Sequence, residues 1–185
     1  MKNLMTITKC VLFSILLISC GGDSEDEELK SSLNGDWTAT SFTMDITQNT
    51  SVAGNDVDVV INGSGSEFNY DLTLDDGTFS TTGNYQLDYS FMTMGQTTQL
   101  SQLIDDIDGE GTYTIDGNEM TIDGQFYSYE VDGLSAAGSP TESSTATFEL
   151  DGDVLTFSQN QTYDTNTSGV SVSTKIISKS TWMRK

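Results

Sequence analysis

Apolar and polar residues alternate along most of the chain after residue 33, and this period of two constrains the fold more than any other feature. Tyr85, Leu87, Tyr89 and Phe91 are separated by polar residues, and the same alternation runs through 70–74 and 170–176. Successive side chains of a β-strand point to opposite faces, so the pattern predicts antiparallel strands that cover a core on one side. The chain has one proline, Pro140, so little interrupts strand pairing.

A weak internal repeat predicts where the chain turns. Segments 72–79, 113–120 and 148–155 each contain a strand-like run, a turn with Asp-Gly and a second strand-like run. Asp-Gly tolerates the positive φ that tight hairpin turns require. These hairpins, with strands starting near Asp36 and Val170, give about eight strands. An all-β fold follows, either an antiparallel up-and-down barrel or a β-sandwich.

One segment departs from the period of two. Leu100, Leu103, Ile104 and Ile107 are spaced as i, i+3, i+4 and i+7, which predicts a short helix over 97–107 with Thr97 or Thr98 at its start. Such a helix would be a lid over one end of a barrel, or a plug that fills it or covers an edge.

The chain begins with a segment typical of protein export. Lys2 and Lys9 provide positive charge, and the run from Val11 to Ile18 is apolar apart from Ser14. This run is shorter than the roughly 20 apolar residues that span a bilayer as a helix, but it suits a signal peptide. The alternative to a lipoprotein signal is a plain signal peptide with an incidental cysteine.

The end of this segment, Leu17-Ile18-Ser19-Cys20-Gly21, resembles the bacterial lipobox. The resemblance implies that 1–19 is removed, that Cys20 is acylated, and that the lipid bilayer is a partner through those acyl chains. Two acyl chains give stable anchoring. Cys10 lies within 1–19, so the mature domain keeps no free cysteine for a disulfide, a metal or a nucleophile.

An acidic run follows the cysteine. Residues 20–32 begin with Cys20 and two glycines and contain Asp23 to Glu28, which predicts a flexible, self-repelling, extended tether. The run is similar to the signal that sends Bacteroidetes-type lipoproteins to the outer face of the outer membrane. The alternative is a spacer without an address. The remaining segment, 33–185, is long enough for a single domain.

Composition excludes several classes of function. Removal of 1–19 leaves five basic residues against 28 acidic ones, a net charge of −23, which opposes nucleic-acid binding. The chain has no histidine and a single arginine, Arg184, so histidine-dependent catalysis and histidine metal sites are excluded. We therefore expect a monomer that is not an enzyme and holds no cofactor or metal. The four acids within 105–110 lack the spacing of an EF-hand and predict a solvated loop, with a Ca²⁺ site as the alternative.

The mature domain opens with Leu33-Asn34-Gly35-Asp36-Trp37, an L-x-G-x-W motif. With the Asp-Gly hairpins and the Trp182-Met-Arg-Lys terminus, it resembles the lipocalin-like lipoproteins of Bacteroidetes. The resemblance implies that Gly35 and Trp37 close one end of a barrel, with Arg184 packed over Trp37 as a cation–π contact; the alternative is a solvated Arg184. Trp37 and Phe42 are an odd number of residues apart, so a regular strand would place them on opposite faces. We therefore expect a β-bulge between them or a sandwich with Trp37 in another layer.

The barrel hypothesis predicts a small apolar or amphipathic ligand inside. The residues expected to line its site are Phe42, Met44, Tyr85, Leu87, Tyr89, Phe91, Tyr127 and Tyr129. The same stripe is compatible with a filled core. In that case the protein would be an adhesion module that recognises a protein or glycan through polar loops at 48–56, 132–146 and 160–169.

Overall fold

The computed structural model describes residues 23–52, 55–124, 143–167 and 169–185. The predicted signal peptide 1–19, Cys20, Tyr127 and Tyr129 lie outside these residues. Along the chain the elements are α1 (Asp23–Leu33), β1 (Gly35–Val52), β2 (Asn55–Asp75), β3 (Thr78–Thr93), β4 (Gln96–Asp116), β5 (Glu119–Asp123), β6 (Ser144–Asp151), β7 (Val154–Thr167) and β8 (Val170–Arg184).

The eight strands form a closed up-and-down barrel in sequence order. Each strand pairs antiparallel with the next, and β8 returns to pair with β1, from Trp37 opposite Arg184 to Val52 opposite Val170. This pairing leaves no second layer, so the predicted barrel is confirmed and the sandwich alternative is wrong. The predicted hairpins are also present as β2–β3, β4–β5 and β6–β7, with positive φ at Asp76, Gly77, Gly117 and Gly152.

A β-bulge in β1 places Trp37 and Phe42 on the same face. Ala39 pairs with Trp182 and Ser41 with Thr181, so Thr40 is an extra residue in β1. The extra residue inverts the alternation, and Trp37, Ala39, Phe42, Met44 and Ile46 are all buried. The bulge predicted from the parity of the sequence is therefore confirmed.

The predicted helix at 97–107 is wrong, because this segment is part of strand β4. It pairs with β3 from Thr93 opposite Gln96 to Tyr85 opposite Ile104. Gly83 then pairs with Ile107, so Asp105 and Asp106 form a bulge, with φ of 52° at Asp106. The bulge brings both Ile104 and Ile107 to the inner face. Because one extra residue lies between them, these two inward residues are three positions apart instead of two, and this spacing imitates that of a helix. Leu103 points outward and is 54% exposed.

The acidic segment predicted as an extended tether is instead the helix α1. Acidic residues in its first turns and Lys30 in its last turn complement the helix dipole. Asp26 Oδ1 accepts a hydrogen bond from the amide of Gly117, and Lys30 Nζ lies 3.1 Å from Asp76 Oδ1. Leu33 is fully buried. Because α1 docks on the β2–β3 and β4–β5 turns, it is part of the domain. Among the described residues, no helix is both long and apolar enough to cross a membrane.

The barrel has two dissimilar halves because β5 and β6 are short. These strands have five and eight residues, against 21 in β2 and β4. β5 and β6 lie at the end that also carries α1, Gly35 and Arg184, which we call the closed half. The open half contains the ends of the other strands: 43–52, 55–64, 88–101, 158–167 and 170–179. Segments 48–52, 55–56 and 160–167, which the sequence predicted to be loops, are strand residues of this half.

The outer wall of the barrel is mostly polar, with scattered apolar residues such as Met92, Leu103 and Ile177. Thr43, Asp45, Asn62, Ser64 and Asp88 point outward and are exposed, whereas their apolar neighbours along each strand point inward. A barrel wall that faces lipid carries its apolar residues outward. This wall therefore has the polarity expected of a surface in contact with water.

Gly83 provides a test of the fold because it lies between the bulges of β2 and β4. Its φ is +117°, and a Cβ atom there would stand 1.9 Å from the carbonyl oxygen of Asn69. We expect Gly83→Ala to reduce the free energy of unfolding by about 3 kcal/mol or more. Gly95→Ala is the control, because that turn residue has positive φ but open space, and about 1 kcal/mol is expected. Urea denaturation compares the two, and equal losses would contradict the close approach.

Candidate functional site

Aromatic side chains fill the closed half. Tyr70 lies between Trp182 and Tyr85, with ring centroids 5.4 Å and 5.6 Å away, and Phe42 meets Tyr85 edge-on at 6.1 Å. Each of these side chains is at most 2% exposed. Phe42, Tyr85 and also Leu87, which were predicted to line a ligand site, are therefore part of a packed core.

Arg184 joins α1 to the end of the barrel. Its guanidinium lies 4.1 Å from the centroid of the Trp37 ring, so the predicted cation–π contact is present. Nη1 donates to the carbonyl of Asn34 at 2.8 Å, and Nη2 donates to the carbonyl of Ser32 at 2.7 Å. A Cβ atom on Gly35, whose φ is +133°, would stand 2.9 Å from Nη1. Gly35, Trp37 and Arg184 thus form one closing unit.

The indole of Trp37 completes this unit by fixing the end of the helix. Its Nε1 donates to the carbonyl of Leu33 at 3.0 Å. The carbonyls at the end of a helix have no partner within the helix. Trp37 and Arg184 together satisfy the carbonyls of Ser32, Leu33 and Asn34, so the closed half is sealed by hydrogen bonds as well as by packing.

One side of the open half has an apolar inner wall, built by β1, β2 and β3. Met44, Ile46, Ile61 and Tyr89 are buried there, and Phe91 is partly exposed. Gly63 makes room for Met44, because a Cβ atom at Gly63 would stand 2.8 Å from Met44 Cε. Three of the predicted ligand-lining residues, Met44, Tyr89 and Phe91, therefore come together on this wall.

The other side has a polar inner wall, built by β7 and β8. Gln159 Nε2 donates to Gln161 Oε1 at 2.7 Å, and the hydroxyl of Tyr163 donates to the same oxygen. Ser178 Oγ donates to Gln159 Oε1 at 3.2 Å. These side chains are partly buried, and burial raises the pKa of the Tyr163 hydroxyl. We call Gln159, Gln161, Tyr163 and Ser178 the amide network.

The two walls belong to one continuous inner face. β3 and β7 are linked through β8, β1 and β2, which pair in that order. A cross-strand row connects the walls and runs from Phe91 through Ile61, Ile46 and Ile176 to Gln161. An eight-stranded barrel has room for packed side chains or for one small ligand.

The inner face of the open half carries no charged residue in the described strands. The charged residues of the open half alternate with the inward residues along each strand, so their side chains lie on the outer wall. These residues are Asp45, Asp56, Asp58, Asp88, Asp164, Lys175 and Lys179. An apolar wall with a few convergent polar groups is typical of a site for a small organic molecule. We therefore take the inner face of the open half as the candidate site.

The sequence analysis missed the amide network because 160–169 was assigned to a polar loop. The missed signal was the alternation of inward and outward residues along this strand. Leu155, Phe157, Gln159, Gln161 and Tyr163 alternate without interruption, and the first two are buried core residues. Continuing that alternation into the polar residues would have placed Gln159, Gln161 and Tyr163 on the inner face.

Two other sites on the outer wall are less suited to a ligand. A groove of about 620 Å³ runs over β2, β3 and β4 beside Asn62, Ser64, Asp88 and Ser101, and it is open to solvent. The acids of 105–110 lie in strand β4 rather than in the predicted loop. In the part of the chain that the structure describes, no three acidic, histidine or cysteine residues converge as metal ligands would.

Comparisons with known proteins add little. No protein-family model and no curated protein matches the chain. Two solved structures that match are both of Ail, the attachment invasion locus protein of Yersinia pestis, one of them in complex with the heparin analogue sucrose octasulfate. Identity is 8% and 10%, with TM-scores of 0.22 and 0.21, over 81% of this chain and 99% of each Ail chain. At these TM-scores the likeness carries no argument, and the assignment of the site depends on the geometry above.

Arg184 provides a test of the closing unit. We expect Arg184→Lys to reduce the free energy of unfolding by about 2 kcal/mol, because an ammonium group cannot donate to both carbonyls while lying flat on Trp37. The variant should also expose α1 to a glutamate-specific protease. The matched control is Lys175→Ala on the outer wall, for which a change within about 0.5 kcal/mol is expected. A fully stable, protease-resistant Arg184→Lys variant would contradict the role assigned to Arg184.

Proposed function

We propose that this chain is a lipocalin-like lipoprotein, anchored to the outer membrane through acylated Cys20, that binds one small apolar or amphipathic ligand in its open half. The observation that carries the proposal is the inner face of that half, which in the described residues combines apolar side chains with the amide network and carries no charge. Burial of the ligand's apolar surface against Phe91, which is partly exposed while Met44 and Tyr89 beside it are already buried, would supply the apolar part of the affinity. The role is one of binding rather than catalysis.

The position of α1 supports an orientation for the anchored protein. α1 begins at Asp23, only three residues after Cys20, and three residues span at most about 11 Å. Because α1 docks on the closed half, the acyl chains would leave from that end. The closed half would then face the bilayer, and the open half would point away from it, toward the medium that supplies the ligand.

Cys20→Ser tests the anchor. We expect the variant to leave the membrane fraction, because only the acyl chains would hold this barrel, whose outer wall is mostly polar, to a bilayer. Fractionation and immunoblotting of cells measure the change, and Ser19→Ala is the control because it keeps a small residue before the cysteine. A Cys20→Ser protein that still sediments with membranes would contradict the lipobox interpretation.

Export to the outer face needs a separate variant that preserves the docked helix. Asp26 accepts a hydrogen bond from the amide of Gly117, so deletion of the acidic run would also disturb the barrel. The variant Glu25→Gln/Glu27→Gln/Glu28→Gln keeps Asp26 and removes three charges. We expect this variant to stay anchored but to resist cleavage by a protease added to whole cells, because it would no longer be displayed on the outer face. Unchanged cleavage at the cell surface would show that the acidic run is only a spacer.

Ligand binding is tested on residues 23–185, which contain the helix, all eight strands and the whole described core. Purified gently from the native host, this form should carry a species of a few hundred daltons, visible by native mass spectrometry and released on unfolding. Phe91→Ala should weaken binding about tenfold or more, because it removes an aromatic ring from the apolar wall. Met92→Ala is the matched control, since Met92 is the next residue and points outward, 41% exposed. Equal effects of the two variants would contradict a site inside the barrel.

A second candidate function is recognition of a protein or glycan on the outer wall. The groove beside Asp88 and Ser101 favours it, because Gln86 Nε2 donates to Ser101 Oγ at 2.9 Å and Ser101 donates to Asp88. Such a pre-ordered polar surface suits hydroxyl-rich ligands. Ser64→Ala and Ser90→Ala in the groove would then weaken binding of the protein or glycan, whereas Phe91→Ala would not.

A further inference from the structure

We infer that the tip of the hairpin formed by β3 and β4 is a docking surface for a partner protein, and that the partner presents apolar side chains flanked by lysine or arginine. We call this surface the methionine patch; its residues are Met92, Met94, Asp56, Asp58 and Val60. The methionine patch lies on the outside of the barrel, so the inference goes beyond the proposed ligand of the open half and does not rest on it.

The methionine patch exposes apolar surface to water. Among the described residues Met94 is the most exposed large apolar side chain, at 86%, and Met92 is 41% exposed. Val60, which is partly exposed, lies directly opposite Met92 across β2 and β3. A concavity of about 350 Å³, open to solvent, lies among these side chains. Apolar residues that stand together around a concavity mark an interaction site, and the flexible thioether of methionine adapts to the shape of a partner.

Met94 occupies a turn position that does not suit methionine. Met94 and Gly95 are the two central residues of the turn between β3 and β4, with φ of 48° and 75°. Turns of this kind favour asparagine, aspartate or glycine at the first of these positions. The turn between β2 and β3 follows that rule, with Asp76 and Gly77 at φ of 45° and 90°. A largely exposed methionine at such a position adds backbone strain without packing in the core, so contact with another molecule gives it a purpose.

The acids of the methionine patch determine the class of partner. Asp56 and Asp58 point outward from β2 and line the same concavity as the methionines. Asp58 Oδ1 accepts a hydrogen bond from Asn49 Nδ2 at 2.7 Å, which orients the carboxylate. No described lysine or arginine lines the concavity. Apolar side chains of a partner would be buried against Met92 and Met94, and cationic side chains beside them would pair with the two carboxylates and set the orientation of docking.

The same charges disfavour two other occupants. A second copy of this chain carries the same acids and the same mature net charge of −23, so two methionine patches would repel each other. An anionic membrane surface attracts basic residues, whereas Asp56 and Asp58 would be repelled by it. A basic, apolar polypeptide segment therefore fits the methionine patch better than either.

The test is methyl NMR of residues 23–185 with ¹³C-labelled methionine, since the methionines of this form are spread over the molecule. Met92 and Met94 report on the methionine patch, Met183 is 45% exposed at the closed half, and Met44 and Met120 are buried. The probes are three octapeptides that alternate lysine with leucine, lysine with serine, or glutamate with leucine. We expect the lysine–leucine peptide to shift the signals of Met92 and Met94 but not that of Met183. The other two peptides should bind about tenfold more weakly or less, because each lacks one half of the required chemistry.

Met94→Asn separates docking from folding. Asparagine tolerates the positive φ of this turn, so the midpoint of thermal unfolding should stay the same or rise by about 2 °C. Affinity for the lysine–leucine peptide should nevertheless fall about tenfold, because the apolar side chain is lost. Unchanged affinity in this folded variant would overturn the role assigned to Met94.

Asp58→Asn tests the charge of the methionine patch while keeping the shape of the side chain. We expect binding of the lysine–leucine peptide to weaken about threefold at low salt, because exposed ion pairs are individually weak. At about 0.5 M salt the difference should disappear, since screening removes the attraction in both proteins. The matched control is Asp164→Asn, which removes the same charge from an exposed, outward position on β7, three strands away around the barrel. Equal effects of the two variants would reduce the acids to a general electrostatic background.

The remaining outcomes each overturn the inference. If no peptide shifts Met92 or Met94, the methionine patch is not a docking surface. Equal shifts at Met183 would show that the peptide adheres to any exposed methionine, and equal binding of the glutamate–leucine peptide would show that the acids do not select the partner. Signals of Met92 and Met94 that change with protein concentration alone would indicate a second copy as the occupant. Broadening of these signals by phosphatidylcholine vesicles without peptide would indicate a membrane.

Discussion

The rest of the structure depends on the pairing of β8 with β1, which closes the sheet into a ring. Once the ring is closed, every strand residue faces either the interior or the surrounding water. The bulge at Thr40 is needed for this reason, because without it Trp37 and Phe42 would lie on opposite faces of β1. Closure also brings Arg184, at the end of β8, beside Trp37 at the start of β1, and so seals the end at which the chain enters the barrel.

Irregularities in the strands mark the boundary between the closed half and the open half. The bulge of β2 at Glu67 and Phe68 and the bulge of β4 at Asp105 and Asp106 lie on either side of Gly83. Toward α1 from this boundary the interior is filled by aromatic rings. In the other direction β5 and β6 have ended, and the inner wall changes from apolar to polar around the ring. One fold thus combines a densely packed half with a half whose inner face carries both apolar and polar side chains.

The errors of the sequence analysis have physical causes. The segment 97–107 imitates a helix because a bulge inserts one residue into a period of two. The acidic run was predicted to be extended because self-repulsion opposes order in an isolated chain, whereas Asp26 and Lys30 find partners on the barrel. The amide network was missed because glutamines between threonines have the composition of a loop, although their parity matches that of the buried Phe157.

The sequence by itself determined the all-β class and the hairpins with Asp-Gly turns, because each depends on local spacing or parity, whereas it left the bulge in β1 and the contact of Arg184 with Trp37 as one of two alternatives each. Only the tertiary structure decided that Phe42, Tyr85 and Leu87 pack in the closed half while Met44, Tyr89 and Phe91 lie in the open half, on the same inner face as Gln161 and Tyr163. The physical reason is that a period of two determines the face on which a side chain lies, but not its height in the barrel or its neighbour across it. Those depend on strand register and ring closure, which are properties of the whole sheet.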